Sequence, residues 1–316
     1  MSSTLNRLQQ WRENGAITTE QHGAISAIVR KDRFSVFLEL NLLLYLGVLS
    51  LALGIGATVK KYFANLSDAA VLVTLTALFA GSLYYCFSRT KPFSVERVES
   101  PTFAFDYVLY FACLVMSIEL GYIEYNFAIL ADSSDLYFWF SAAVFMVFAY
   151  RFDNRFVLSM ALSSLAGAFG LRVTRHGLID STEQLRVAGL GYSALVVAIG
   201  VWLHRTGVKK HFLETFLHVA ANVGLLALLS GTAGSANWPL YLLLLAAVAA
   251  VSIYLGTRYK RFAFVAYGVL YGYFGLTSIM LKDAHDPTAV LSYLVTTGTI
   301  VIVGLVILAR KFGKAE

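Results

Sequence analysis

The stretch FLETFLHVAANVG (212–224) sets Glu214, His218 and Asn222 at i, i+4 and i+8, one polar stripe along a helix. A carboxylate, an imidazole and an amide in line could relay protons. Histidine changes charge near neutral pH, and burial raises a carboxyl group's hold on its proton. Their surroundings are apolar, and charge in hydrocarbon is costly enough that it usually has a partner or a task. Glu39, Asn41 and Asp106 fall at similar depth, each within about 10 Å of one end of an apolar run. The competing reading of this group is ion pairing and helix anchoring. Arg33, Arg97, Lys209 and Lys210 are the nearest candidate partners for Glu39, Asp106 and Glu214. Glu119 stands apart, about 24 Å along its run when counted from Phe103. It serves either a function or a hydrogen bond to Tyr or Ser on a neighbouring helix. At the opposite ends of the runs, LRVTRHG supplies Arg172, Arg175 and His176, which suit an anion or a lipid phosphate, or simply headgroup contacts.

Signatures of soluble enzymes are missing. The chain has no Walker loop, no glycine-rich dinucleotide fingerprint, no H-E-x-x-H and no nucleophile elbow. Gly54 and Gly56 in LGIGATVKK superficially resemble a phosphate loop, but they lie inside a hydrophobic run. Cys86 and Cys113 also fall within apolar stretches and lack metal-ligand spacing, so they read as small buried hydrophobes. No catalytic residue, metal site or cofactor is expected.

The elements that must position these residues are membrane spans. Of the 316 residues 58% are apolar and 14% charged, against ~45–50% and ~25% in soluble domains, and mean hydropathy is +0.67. The apolar residues come in uncharged runs of the ~20 residues that a helix needs to cross ~30 Å of hydrocarbon. Ten spans are expected: 36–58, 68–88, 103–124, 135–150, 155–172, 187–204, 212–230, 238–256, 262–281 and 288–309. The pair around Arg151 and Arg155 is short, so it is either two brief spans or a re-entrant pair, which would leave eight. All four prolines, Pro92, Pro101, Pro239 and Pro287, fall in loops or at span edges. Gly268 and Gly272 make a small-xxx-small face that permits close helix approach.

The 25 Lys and Arg residues are scattered at the ends of the runs, a topogenic pattern rather than a nucleic-acid surface. With the N-terminus inside, all but six of them lie on the cytoplasmic side. The six exceptions are Lys60, Lys61, Arg172, Arg175, Arg186 and Lys282. Because basic loops resist translocation, both termini are expected in the cytoplasm.

A polar segment precedes the spans. Leu5, Leu8 and Trp11 give a first helical stripe, which Gly15 is placed to end. Ile17, Thr18 and Gln21 form a staple and capping box, and Ala24, Ile25 and Ile28 make the next stripe. Residues 1–33 thus read as a cytoplasmic two-helix hairpin and 34–316 as the all-α transmembrane bundle. Helices this short are marginal alone, so the hairpin needs a docking surface on its own membrane domain, a second copy or another protein.

The tryptophan-bearing helix, GAITTEQ, the basic stretch and the spaced glycines of YLGVLSLALGIGATV resemble a family across about the first 90 residues. It is the bacterial family of predicted polytopic inner-membrane proteins known as domain of unknown function 2157. The resemblance implies a multi-span protein of the inner membrane and carries no reaction, substrate or catalytic residue. Two functional classes follow. One is a non-enzymatic scaffold or sensor whose hairpin docks a partner. The other is a secondary transporter in which five plus five spans form an inverted repeat, with proton coupling as one version. An enzyme acting on lipid-linked substrates is a third, weaker option.

Overall fold

The computed structural model describes residues 9–22, 26, 46–48, 50, 51, 54, 67–130, 133, 135–176, 181–282, 284 and 286–314. Two compact units divide the chain, one of residues 1–47 with 302–316 and one of residues 48–301.

In the first unit the expected turn is present. Residues 9–13 are helical, Gly15 adopts φ +70°, and the Ala16 N–H donates to the Trp11 carbonyl over 2.8 Å. The Gly15 N–H donates to Arg12, completing a Schellman stop. Helix resumes at Thr19. The Thr18 N–H donates to Gln21 Oε1 (2.9 Å) and the Gln21 N–H to Thr18 Oγ1 (3.2 Å), a reciprocal capping box.

The second unit holds helices α1 (Asp68–Arg89), α2 (Phe103–Phe127), α3 (Asp135–Phe152), α4 (Arg155–His176), α5 (Ser181–Thr206), α6 (Leu213–Gly234), α7 (Trp238–Arg258) and α8 (Phe262–Met280). A further helix, α9 (Pro287–Lys314), follows, and a 3-10 turn (Lys210–Phe212) introduces α6. No strand occurs among the described residues. Eight of these helices, all but α3, are long and apolar enough to cross a membrane. The chain is therefore an all-helical, multi-span membrane protein. The expected first span, 36–58, lies almost entirely outside the described residues.

At RFDNR two helices meet. α4 has 22 residues, enough for about 33 Å, and α3 packs along it with 18 residues, about 27 Å. Asp153 takes a left-handed conformation (φ 55°) and the Asn154 N–H donates to the Ala149 carbonyl (3.0 Å), which stops α3. Asn154 Oδ1 then accepts the N–H groups of Phe156 and Val157 (both 3.0 Å) and caps α4. Two residues make the whole connection.

Within the unit, α6 touches α4, α5, α7 and α8. In lipid, helices gain little from apolar burial and associate through close packing. Small residues carry that packing here. Ser193 Oγ donates to the Ala220 carbonyl (2.7 Å) where Gly224 leaves room for it. A Cβ on Gly268 would lie 2.5 Å from the Ala249 carbonyl oxygen, so α7 and α8 approach closely there. Gly272, the second member of the expected pair, meets nothing nearer than 3.9 Å, and the next close approach comes at Gly275, against Leu245. Near the RFDNR turn, the Phe152 ring meets Phe87, Phe105 and Phe148 and joins α1, α2 and α3. Cys86 and Cys113 are free thiols buried in this core, as their apolar contexts imply.

Candidate functional site

The polar stripe of α6 faces α8. Glu214 accepts from Arg261 on one oxygen (2.8 Å) and from Arg155 on the other (3.3 Å). One helical turn on, His218 stacks on Phe264 with centroids 4.6 Å apart and planes 9° apart. Its Nδ1 pairs with the Tyr267 hydroxyl (3.2 Å), and its Nε2 lies 3.9 Å from Glu214. Asn222 donates to the His218 backbone carbonyl (2.8 Å) and accepts from the Tyr271 hydroxyl (3.2 Å). The stripe thus spans about 12 Å of α6. Its side-chain path stops at Tyr267, because Asn222 addresses the backbone of His218 rather than its ring. Glu214 pairs with Arg155, the first residue of α4, and with Arg261 of the α7–α8 turn, not with Lys209 or Lys210. Those lysines precede it on its own connection, whereas the guanidiniums reach across from α4 and the α7–α8 turn.

Asp106 takes a different set of partners. Its Oδ1 accepts from Ser100 Oγ (2.8 Å) and from Asn154 Nδ2 (2.9 Å), and Asn154 also reaches the Tyr110 hydroxyl (3.2 Å). Arg97, the expected ion-pair partner, is not in that set. The same buried asparagine therefore caps α4 and ties its start to α2.

Beside it lies the most enclosed charge pair described. Lys209 Nζ donates to Asp153 Oδ2 over 2.9 Å, with side-chain exposures of 1% and 2%. Lys209 also donates to the Glu96 carbonyl (3.0 Å), while its backbone N–H donates to Val95 (3.0 Å). The Val98 N–H and His211 Nε2 both meet Asp153 at 2.5 Å. Burial pushes the Asp153 carboxyl up, but the hydrogen bonds from Lys209, Val98 and His211 outweigh it and hold the group below the usual carboxylate range. Lys209, like Asp153, is left-handed (φ 45°), so both turns present their side chains inward at some conformational cost. The result fastens the α1–α2 connection to the α3–α4 and α5–α6 turns.

Glu119 is bonded across helices. Thr76 Oγ1 on α1 donates to its Oε1 over 2.5 Å, a threonine where tyrosine or serine was expected. Arg172 lies 3.7 Å from Asp135, the first residue of α3, and keeps 60% side-chain exposure. The side chains of Arg175 and His176, and all of Glu39 and Asn41, lie outside the described residues. Asp106, Glu214 and His218 do gather toward one end of the unit, but in two separate clusters; Glu119 and Arg172 join neither.

Several residues escaped the sequence reading. Asp153 and Asn154 carried a local signal, an Asp-Asn pair between two apolar runs. His211 had none beyond the basic character of its loop, and Lys209, named as an ion-pair partner, meets Asp153 rather than Glu39, Asp106 or Glu214. Arg186, counted only as a topogenic charge, is 6% exposed and bound to Glu183 (2.6 Å) and Ser230 (3.2 Å). Tyr241 also donates to Glu183.

Residues 9–158 match the family described as "Predicted membrane protein (DUF2157)". The match runs well past residue 90, through α3 and into α4. No curated protein and no solved structure gave a match.

Proposed function

We propose that this protein is a non-enzymatic scaffold or sensor of a bacterial inner (cytoplasmic) membrane, with both termini cytoplasmic, that docks a protein partner through residues 1–33. One observation carries the reading. Trp11 is 51% exposed beside a turn that a Schellman stop and a capping box fix in place. A tryptophan offered on a polar, pre-organised element is the kind of side chain that anchors an interface. Two features of the membrane part support it. Glu214 is gripped by two arginines, and Asp153 and Lys209 spend their charges on each other, so these groups join helices rather than stand open to a solute. The distribution of Lys and Arg supports the orientation.

The test places a photoreactive residue at Trp11 or Gln10 of the full-length chain in cells. A discrete crosslink to one protein, made from position 10 and lost when Trp11→Ala is added, is the expected result. Solute or proton flux in proteoliposomes of the purified protein, abolished by Glu214→Gln, would overturn the scaffold reading in favour of the five-plus-five transporter.

A further inference from the structure

A cavity of about 450 Å³ lies between α4, α5 and α6, within the ~300–1,000 Å³ of small-molecule sites. Its walls are apolar except at one end, where Arg186, Ser230 and Thr182 line it. Val223 and Tyr192 line it about 10 Å further along their helices. Tyr192 offers only its ring there, because its hydroxyl donates to the Leu162 carbonyl (2.6 Å). Leu185 and Leu226 line the cavity and are also 42% and 58% exposed, so it opens on the lateral surface of the helices, which a bilayer would cover. Polarity therefore runs from a cationic end near the helix termini to a hydrocarbon end deeper in the span. That is the order of polarity in a lipid.

The cationic end has capacity to spare. A guanidinium offers five N–H donors. Arg186 uses one on the Glu183 carboxylate and one on Ser230 Oγ among the described residues. Glu183 is itself shared with Tyr241, which draws on the same acceptor. Donors left over on a nearly buried arginine at the mouth of an apolar cavity favour an anionic oxygen, the acceptor a guanidinium bonds most strongly. A free anion would satisfy the arginine but leave the apolar walls unfilled.

We infer that this cavity binds a lipid chain whose anionic head, phosphate or carboxylate, is held by Arg186 and Ser230. Native mass spectrometry of the purified full-length protein tests it, with phosphatidylglycerol, phosphatidylcholine and inorganic phosphate as probes. Phosphatidylglycerol should bind about tenfold more tightly than phosphatidylcholine when bound and free protein are compared across a lipid titration, equivalent to about 1.4 kcal/mol. Arg186→Gln and Leu226→Trp should each remove that preference, the first by deleting the donors and the second by plugging the mouth. If Arg186→Gln does not fold, Leu226→Trp decides alone, since an exposed position tolerates the larger ring. Equal retention of both lipids, or undiminished phosphatidylglycerol on Leu226→Trp, would overturn the assignment. So would inorganic phosphate binding that depends on Arg186 but is indifferent to Leu226→Trp.

Discussion

Lys209 and Asp153 form an ion pair 56 residues apart in sequence, with Nζ and Oδ2 separated by 2.9 Å and both side chains almost fully enclosed. Desolvating two such charges is costly, and the pair survives because the Glu96 carbonyl, the Val98 N–H and His211 take up the remaining bonding capacity. Removing one partner is worse than never having had either. Lys209→Met should therefore lower stability by about 3–5 kcal/mol, leaving a buried carboxylate uncompensated. Adding Asp153→Asn to it should recover part of the loss. Thermal unfolding in a single detergent, followed by intrinsic fluorescence, measures both; a double variant as unstable as the sum of the singles would contradict the coupling.

Asp153 also fixes a pH dependence. Its folded-state pKa is depressed, so its stabilising contribution is fully present above the unfolded carboxyl value, about 3.9. That contribution is lost as pH falls through the folded value. The wild-type melting temperature should therefore drop on acidification from about pH 5 to about pH 3. Asp153→Asn should start lower at neutral pH and show a shallower fall. Parallel curves for the two proteins would show that the pair does not govern the acid limb.

Gly268 separates two readings of the small-residue face. A methyl group there would sit 2.5 Å from the Ala249 carbonyl oxygen, which is backbone and cannot swing away. Gly268→Ala should cost about 1–3 kcal/mol by forcing α7 from α8. Gly272→Ala meets only ordinary contact at 3.9 Å and should be close to neutral. The contrast between the two melting temperatures is the measurement.

What could be read in advance follows from where the determining interactions lie. Span positions were visible because the bilayer demands uninterrupted apolar length, and the capped turn at Gly15 because its bonds close within five residues. The α6 stripe was likewise a matter of spacing along one helix. Its partners were not. Glu214 meets an arginine 59 residues before it, and Lys209 meets a carbonyl 113 residues away, and which helices neighbour one another decides such contacts. Asp106 shows the same limit. Its depth was legible, but its pairing with Asn154 depended on an α3–α4 turn whose very existence as a full hairpin was open. The bonds of Arg186 were hidden for a related reason, since a charge near a span end reads as topogenic until a neighbouring helix covers it.

The orientation has its own test. The connections 128–134 and 235–237 carry no Lys or Arg, whereas Lys209 and Arg261 stand at the opposite ends of α6 and α8. Single cysteines at Ser133 and Asn237, in a background with Cys86 and Cys113 replaced, should react with an impermeant maleimide in intact cells. A cysteine at Lys91 should react only after permeabilisation. The reverse pattern would invert the proposed topology.

Glu119 offers the sharpest distinction between a structural and a proton-linked carboxyl. Thr76 Oγ1 donates to it across the α1–α2 contact, close to the buried cluster of Val71, Leu75 and Val115. A glutamine at 119 keeps an oxygen to accept that bond, so Glu119→Gln should leave stability within about 0.5 kcal/mol of wild type. Glu119→Leu removes the acceptor and Thr76→Val the donor, and each should cost about 1 kcal/mol. Because the two act on one bond, the double variant should cost little more than either alone. A thermal-melt cycle of the four proteins reads the coupling directly. If Glu119→Gln were instead to leave the fold intact and abolish a pH-gradient-dependent activity, the carboxyl would be a proton carrier and the hydrogen bond to Thr76 its resting state.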